Sequence, residues 1–255
     1  MTLPSIFLSH GAPTLAAERN AQTDAWAALA RELPRPSAIL AVSAHWETAA
    51  PAVSAASQPA TIHDFHGFPP ALYQIRYASP GAPDLAERIG ALLRQAGFPI
   101  GLDPQRGLDH GAWVPLKWMY PGAEIPVTQL SVQPHLGPKH HHAIGRALAP
   151  LRDEGVLVLG SGGIVHNLRE IQWRAREPVA WARGFNDWIA ERVARGAVDE
   201  LLEYRTQAPD AARSHPTEEH LEPFFVALGA GDAPARRLEL GIDLGSLGMD
   251  GYVFG

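Results

Sequence analysis

Imidazoles placed at the ends of apolar runs are the chemically most suggestive feature of this sequence. Ile6-Phe7-Leu8 leads into Ser9-His10-Gly11, and the run 38–42 leads into Ser43-Ala44-His45-Trp46. A third run, 156–159, passes through Gly160-Ser161 to Val165-His166-Asn167. Short runs rich in β-branched residues and closed by small ones read as buried strands of an α/β sheet. Such sheets gather ligands at the carboxyl ends of their strands. His10 and His45, carried there on neighbouring rigid strands, are what a metal site requires; the alternative for each is a buried histidine bonded to a backbone carbonyl. The 255 residues include no cysteine, which excludes disulfides, thiolate ligands and cysteine nucleophiles together. A transition metal must then be held by His, Asp or Glu, a donor set that suits Fe(II), Zn(II) or Mn(II).

Twelve histidines are a high count for this length, and the others divide by context. His63 and His66 flank Asp64-Phe65 in a Pro-, Ser- and Ala-rich stretch, where His63 could supply a ligand, a substrate contact or part of a lid and His66 reads as loop packing. His110 lies in Gly107-Leu108-Asp109-His110-Gly111; the glycines expose its imidazole, Asp109 could raise its pKa, and catalytic or substrate-binding use is the reading adopted. His140, His141 and His142 point in different directions on a helix, cannot share one metal, and read as a solvated helix end. His166 follows Gly160-Ser161-Gly162-Gly163, a turn that admits a ligand close to the backbone; the structural alternative is a tight turn with His166 capping a helix. His215 and His220 bracket Pro216-Thr217-Glu218-Glu219: Thr217 could cap a helix with His220 in its first turn, and His215, held extended before proline, could contact substrate. The run around Ser161 is neither a Gly-x-Ser-x-Gly elbow nor a phosphate loop, and there is no His-Glu-x-x-His helix.

The elements that must position these groups alternate along the chain. Strands are expected at 4–8, 38–44, 73–77, 125–131 and 156–160, and helices at 23–32 (capped by Thr23 or Asp24), 83–95, 138–151, 178–195 and 219–228. Residues 107–111 read as a loop, and the Gly-punctuated tail from Leu238 as strand-like. Trp113, Trp118, Trp173, Trp181 and Trp188 are assigned to the core rather than to a cofactor box. No repeat or linker divides residues 1–255, so one catalytic α/β domain is expected, with a central mixed sheet flanked by helices on both faces. A formal net charge of -6 without a basic run points away from nucleic acid and anionic membrane surfaces. No apolar run approaches the roughly 18 residues of a membrane span, and no signal peptide is read, so a cytoplasmic protein is the expectation.

Six short motifs occur in order over nearly the whole chain: Ser9-His10-Gly11, Ser43-Ala44-His45-Trp46, Thr61-Ile62-His63-Asp64-Phe65, Asp109-His110-Gly111, Val165-His166-Asn167-Leu168 and His215-Pro216-Thr217-Glu218-Glu219-His220. Together they resemble the 4,5-DOPA extradiol dioxygenases of the class III, LigB-type ring-opening dioxygenase superfamily. The resemblance implies one mononuclear divalent metal at the sheet's edge, held by His10, His45 and His220, with Fe(II) expected for activity and Zn(II) able to occupy isolated protein. It implies His166 as the acid/base, His110 in the oxygen and substrate pocket, and His63 beside it. The partners implied are a small-molecule catechol and O2. Many relatives in the broader superfamily use two histidines and a carboxylate; here a neutral histidine takes the third position. Two rival readings stand beside this one: a zinc hydrolase with His166 or Glu219 as base, and a non-catalytic metal- or peptide-binding protein on the same scaffold.

Overall fold

The computed structural model describes residues 2–175, 177–231 and 233–255. Among them the strands are β1 (Ser5–Ser9), β2 (Ala38–Glu47), β3 (Ala52–Ser54), β4 (Gly101–Asp103), β5 (Val127–Val132), β6 (Val156–Gly162), β7 (Arg236–Leu238), β8 (Ile242–Asp243), β9 (Leu247–Gly248) and β10 (Gly251–Phe254). Eight form one mixed sheet in the order β4-β3-β5-β2-β6-β1-β10-β7, and β8 and β9 make a separate ribbon. β5, β2, β6 and β1 are mutually parallel, while β10 joins β1 antiparallel. The parallel block therefore brings the carboxyl ends of β1, β2 and β6 to one edge, where ligands collect in such sheets. β6 lies between β1 and β2, so the strands that carry His10 and His45 are not neighbours as expected but second neighbours.

The helices are α1 (Ala21–Glu32), α2 (Pro83–Gln95), α3 (His110–Met119), α4 (Gly137–Leu148), α5 (Ala180–Arg195), α6 (Val198–Leu202), α7 (Tyr204–Gln207), α8 (Ala211–Ser214) and α9 (Glu222–Ala230). Side chains alternate across the pleat. Ile39 and Ala41 of β2 join Trp26, Trp113 and Leu116 of α1 and α3 on one face. Leu40 and Val42 join Ile89, Leu93, Ile144 and Val226 of α2, α4 and α9 on the other. A third cluster sets Phe7 and Phe254 of the sheet against Phe224 and Phe225 of α9 and Phe185 of α5. Each of these fully buried large side chains contributes about 1.5–3 kcal/mol relative to exposure. No helix among the described residues is long and apolar enough to cross a membrane.

Several local expectations are corrected. Residues 73–77 form no strand; Pro70–Gln74 is a 3-10 helix started by prolines. α1 is capped by Asn20, whose side chain accepts from Thr23 N while Thr23 Oγ1 accepts from Asn20 N. The loop read at 107–111 stops at Asp109, which caps α3 by accepting from Ala112 N, so His110 is the first helical residue. Gly111 and Pro115, poor helix formers, hid this helix in the sequence. Helix α9 starts at Glu222, placing His220 in the turn before it rather than in its first turn. β2 continues to Glu47, so His45 lies within the strand, beyond a register irregularity that follows Val42. The His140–His142 end is not solvated throughout: His141 is fully buried, its Nδ1 2.6 Å from the equally buried Glu222 carboxylate and its Nε2 accepting from Gln133 N. Trp173 is 77% exposed, unlike the other tryptophans assigned to the core.

Candidate metal centre

Five histidines arrive at the carboxyl edge of the sheet on five separate segments. His10 follows β1 directly, its backbone N–H donating to Gly162 O of β6 at 3.0 Å. His45 comes from β2 and His110 from the first position of α3. His166 follows β6, with its N–H on Ser214 O, and Gly163 N on His220 O ties the turn before α9 to the same corner. Two glycines make the approach possible. A Cβ on Gly162 would fall on the carbonyl oxygen of His220; one on Gly111 would fall 2.4 Å from Ser43 Oγ and stand 3.0 Å from His45 Cδ2 and 3.2 Å from His10 Nδ1.

Ring centroids of His10 and His45 are 4.9 Å apart, those of His10 and His220 5.4 Å, and those of His45 and His220 4.9 Å. His110 adds contacts of 4.1 Å to His45 and 5.3 Å to His10. His166 lies flat on His220, 3.4 Å away with 10° between planes. The Nδ1 edges face outward onto protein groups: Ser161 Oγ at 3.0 Å from His10, Asp64 at 2.9 Å from His110 and 3.5 Å from His45, and Glu219 at 2.8 Å from His220. Partners at one ring nitrogen set tautomer and orientation and leave the other free to ligate. His10 Nε2 and His45 Nε2 meet at 3.0 Å, and the buried His220 Nε2 has no hydrogen-bond partner among the described residues. His10, His45 and His110 bring ring nitrogens within 4.8 Å of one another, and His166, Glu219 and His220 form a second such group.

Burial, reinforced by neighbouring imidazoles, pushes His10 and His220 well below the ordinary histidine value. Burial and then His110 bring His45 to about 4 against the pull of Asp109, Asp64 and Glu219. Burial likewise brings His166 to about 4, opposed by Glu219. These four rings are neutral at pH 7 and have lone pairs to give. Burial would raise Asp64, but the hydrogen bonds from His110 and the charges of His110 and His45 outweigh it and hold the carboxyl at about 2. Neutral imidazoles crowded together with an anion behind them fit a divalent cation better than they fit each other.

Residues 4–254 match the family described as the catalytic LigB subunit of aromatic ring-opening dioxygenase. The chain belongs to this family. It is 45% identical over 230 residues to a 4,5-DOPA dioxygenase extradiol of Beta vulgaris, covering 89% of this chain and 86% of that one. It is 43% identical over 254 residues to the protein of the same name in Escherichia coli K12, covering 97% and 93%. A crystal structure of an uncharacterized protein from E. coli K12 superposes with a TM-score of 0.84 at 38% identity, covering 99% of this chain and all of the other. The LigB scaffold thus carries a three-histidine group, His10, His45 and His110, able to bind a metal.

The remaining sequence candidates lie at different depths from this cluster. His63 is one ring away: its Nε2 lies 3.0 Å from Ile75 O and its ring packs on Phe65, which itself touches His110. His215 is wholly buried, bonded through Nε2 to Ile164 O and enclosed by Phe185 and Tyr204, with burial taking it to about 3. Asp109, expected to act on His110, instead accepts from Ser43 Oγ, Ala112 N, Arg106 and Gln129. The carboxylate on His110 is Asp64, which also accepts the His110 backbone N–H at 2.9 Å. Asp64 was visible only as the residue between two histidines, and Ser161, dismissed as a nucleophile, is the hydrogen-bond partner of His10.

Proposed function

We propose that this chain is an extradiol dioxygenase that opens a catechol such as DOPA with O2, both oxygen atoms entering a ring-opened semialdehyde. The observation that carries the reading is the gathering of the His10, His45 and His220 rings at the sheet edge, with centroids 4.9–5.4 Å apart, within a chain belonging to a ring-opening dioxygenase family. These three residues are taken as the metal ligands and residues 1–255 as one catalytic unit, with Fe(II) as the active metal and the cytoplasm as its compartment. Held by these residues, Fe(II) would supply redox activation of O2 and would lower the pKa of the catechol hydroxyls.

His166 is the acid/base. Its ring nitrogens make no hydrogen bond among the described residues, and a neutral imidazole accepts a hydroxyl proton from the catechol and returns it as the ring opens. The 3.4 Å stack on His220 fixes its plane beside the ligand set. His110, steadied at Nδ1 and at its backbone by Asp64, offers its Nε2 lone pair to a hydroxyl of the substrate. The family's DOPA-cleaving relatives support the catechol class.

Protein loaded anaerobically with one Fe(II) per chain is expected to consume O2 and form a yellow product when given a catechol panel. The zinc-loaded protein is expected to do neither, since zinc has no accessible redox step. Fully iron-loaded, folded protein that takes up no oxygen with any catechol overturns the proposal.

A further inference from the structure

Pro115 lies inside α3, in its second turn, and has no N–H to give to the helix ladder. The acceptor left over is the carbonyl of Gly111, whose helical partner would be the N–H of residue 115. Ser161 takes it up from outside the helix: its hydroxyl donates to Gly111 O at 2.5 Å. Ser161 is wholly buried on β6, between the strands that carry His10 and His45. Gly111 lacks the Cβ that would fall against Ser43 Oγ, so α3 can come this close to the sheet.

A serine hydroxyl has one proton and two lone pairs. With the proton committed to the Gly111 carbonyl, Ser161 Oγ meets His10 Nδ1, 3.0 Å away, only as an acceptor. His10 must then carry a proton on Nδ1. A neutral imidazole has a single N–H, so the lone pair lies on Nε2, the nitrogen that faces His45. Carboxylates stand at Nδ1 of the other two rings, Asp64 at 3.5 Å from His45 and Glu219 at 2.8 Å from His220. A carboxylate can only accept, whereas a hydroxyl can accept or donate and fixes a tautomer only when its own proton is held elsewhere. Gly111 and Pro115 supply that condition. Ser43, the register partner of Ser161 on β2, is engaged differently: its hydroxyl donates to Asp109 Oδ1 at 2.6 Å and accepts from His45 N at 3.2 Å.

We propose that Ser161, oriented by the carbonyl that Pro115 leaves free at Gly111, is a positioning residue that holds His10 in the Nδ1–H tautomer and so presents its Nε2 lone pair to a divalent cation. This inference rests on the assignment of His10 as a metal ligand and names what makes its ring competent before the metal arrives. Without the Ser161 hydroxyl either ring nitrogen can carry the proton, and a ring protonated on Nε2 cannot ligate through that atom. Loss of such an outer partner costs about 10–100-fold in metal affinity.

The test uses the full chain, metal-free and then titrated with zinc as a redox-silent probe, in the wild type, Ser161→Ala and Ser43→Ala. Imidazole nitrogen NMR shifts report which nitrogen of His10 bears the proton, and chelator competition reports zinc affinity. Wild-type His10 is expected to be protonated on Nδ1 in the metal-free chain, with zinc shifting its Nε2 signal. Ser161→Ala is expected to average the His10 shifts between the two tautomers and to weaken zinc binding about 10–100-fold. Ser43→Ala removes an equally buried hydroxyl from the neighbouring strand and is expected to leave the His10 tautomer as in the wild type. Wild-type His10 protonated on Nε2, a Ser161→Ala chain that keeps the wild-type tautomer or a zinc affinity within twofold, or an equal tautomer change in Ser43→Ala overturns the role of Ser161 while leaving the dioxygenase reading intact. Zinc that binds without moving the His10 Nε2 signal overturns His10 as a ligand, and this inference with it.

Discussion

Replacing Asp64 by asparagine tests how the imidazole cluster is held. The Asp64 carboxylate accepts twice from His110, at the backbone N–H and at Nδ1, both at 2.9 Å. An asparagine keeps one acceptor oxygen and exchanges the other for an NH2 donor. If the oxygen stays on the backbone N–H, the NH2 faces Nδ1–H, and two donors cannot share a hydrogen bond. His110 then moves its proton to Nε2, the atom turned toward His10 and His45, and its lone pair is lost to the site. Loss of such an outer partner costs about 10–100-fold in metal affinity or activity. The effect on stability follows from the carboxyl lying at about 2 rather than 3.8. Discounted for the solvent that reaches this 21%-exposed side chain, that is about 1–2 kcal/mol at neutral pH. The sign is that of a depressed acid: the stabilisation is present above 3.8 and is lost as pH falls toward about 2. Metal content, kcat/KM for a catechol and the melting temperature of chelated protein together make the assay, with a fall of a few degrees expected at pH 7. A variant that keeps its metal and its kcat/KM within twofold would refute the claim that Asp64 sets the His110 tautomer.

Three further outcomes are expected. Gly111→Ala adds a methyl that α3 itself tolerates but that falls 2.4 Å from Ser43 Oγ, 3.0 Å from His45 Cδ2 and 3.2 Å from His10 Nδ1; metal affinity measured by chelator competition should fall more than about tenfold, with about 1–3 kcal/mol of overpacking in the urea midpoint. His166→Ala should keep its metal by elemental analysis yet lose about 100-fold or more in kcat, the scale of a lost acid/base; loss of the metal instead would show that His166 belongs to the ligand set. In chelated protein, His45 and His166 at about 4 and His215 at about 3 all lie below the unfolded value of 6.5. The unfolded chain therefore binds more protons between those values, and stability is full above about 6.5 and falls as pH drops toward 4, by up to about 1.4 kcal/mol per pH unit for each such group. A urea midpoint that is flat from pH 7 to pH 5 would contradict that burial.

What the residue order settled is the set of elements whose signals are local: the apolar strands at β1, β2, β5 and β6, the amphipathic α2, and the motifs that carry His10 and His166 past the ends of strands. Local pattern suffices there because a strand's period and a glycine-closed turn are written in consecutive residues. It failed for α3, where Gly111 and Pro115 mask a helix that Asp109 caps, and for His141, whose burial depends on Glu222 eighty-one positions later. Only the tertiary structure decided that β6 separates β1 from β2, that Asp64 rather than the adjacent Asp109 holds His110, and that His166 stacks on His220 while His215 is enclosed. Those outcomes depend on strand order and on which segments cross one edge of the sheet. Such long-range geometry is set by the packing of the whole core and has no signature in the residues on either side.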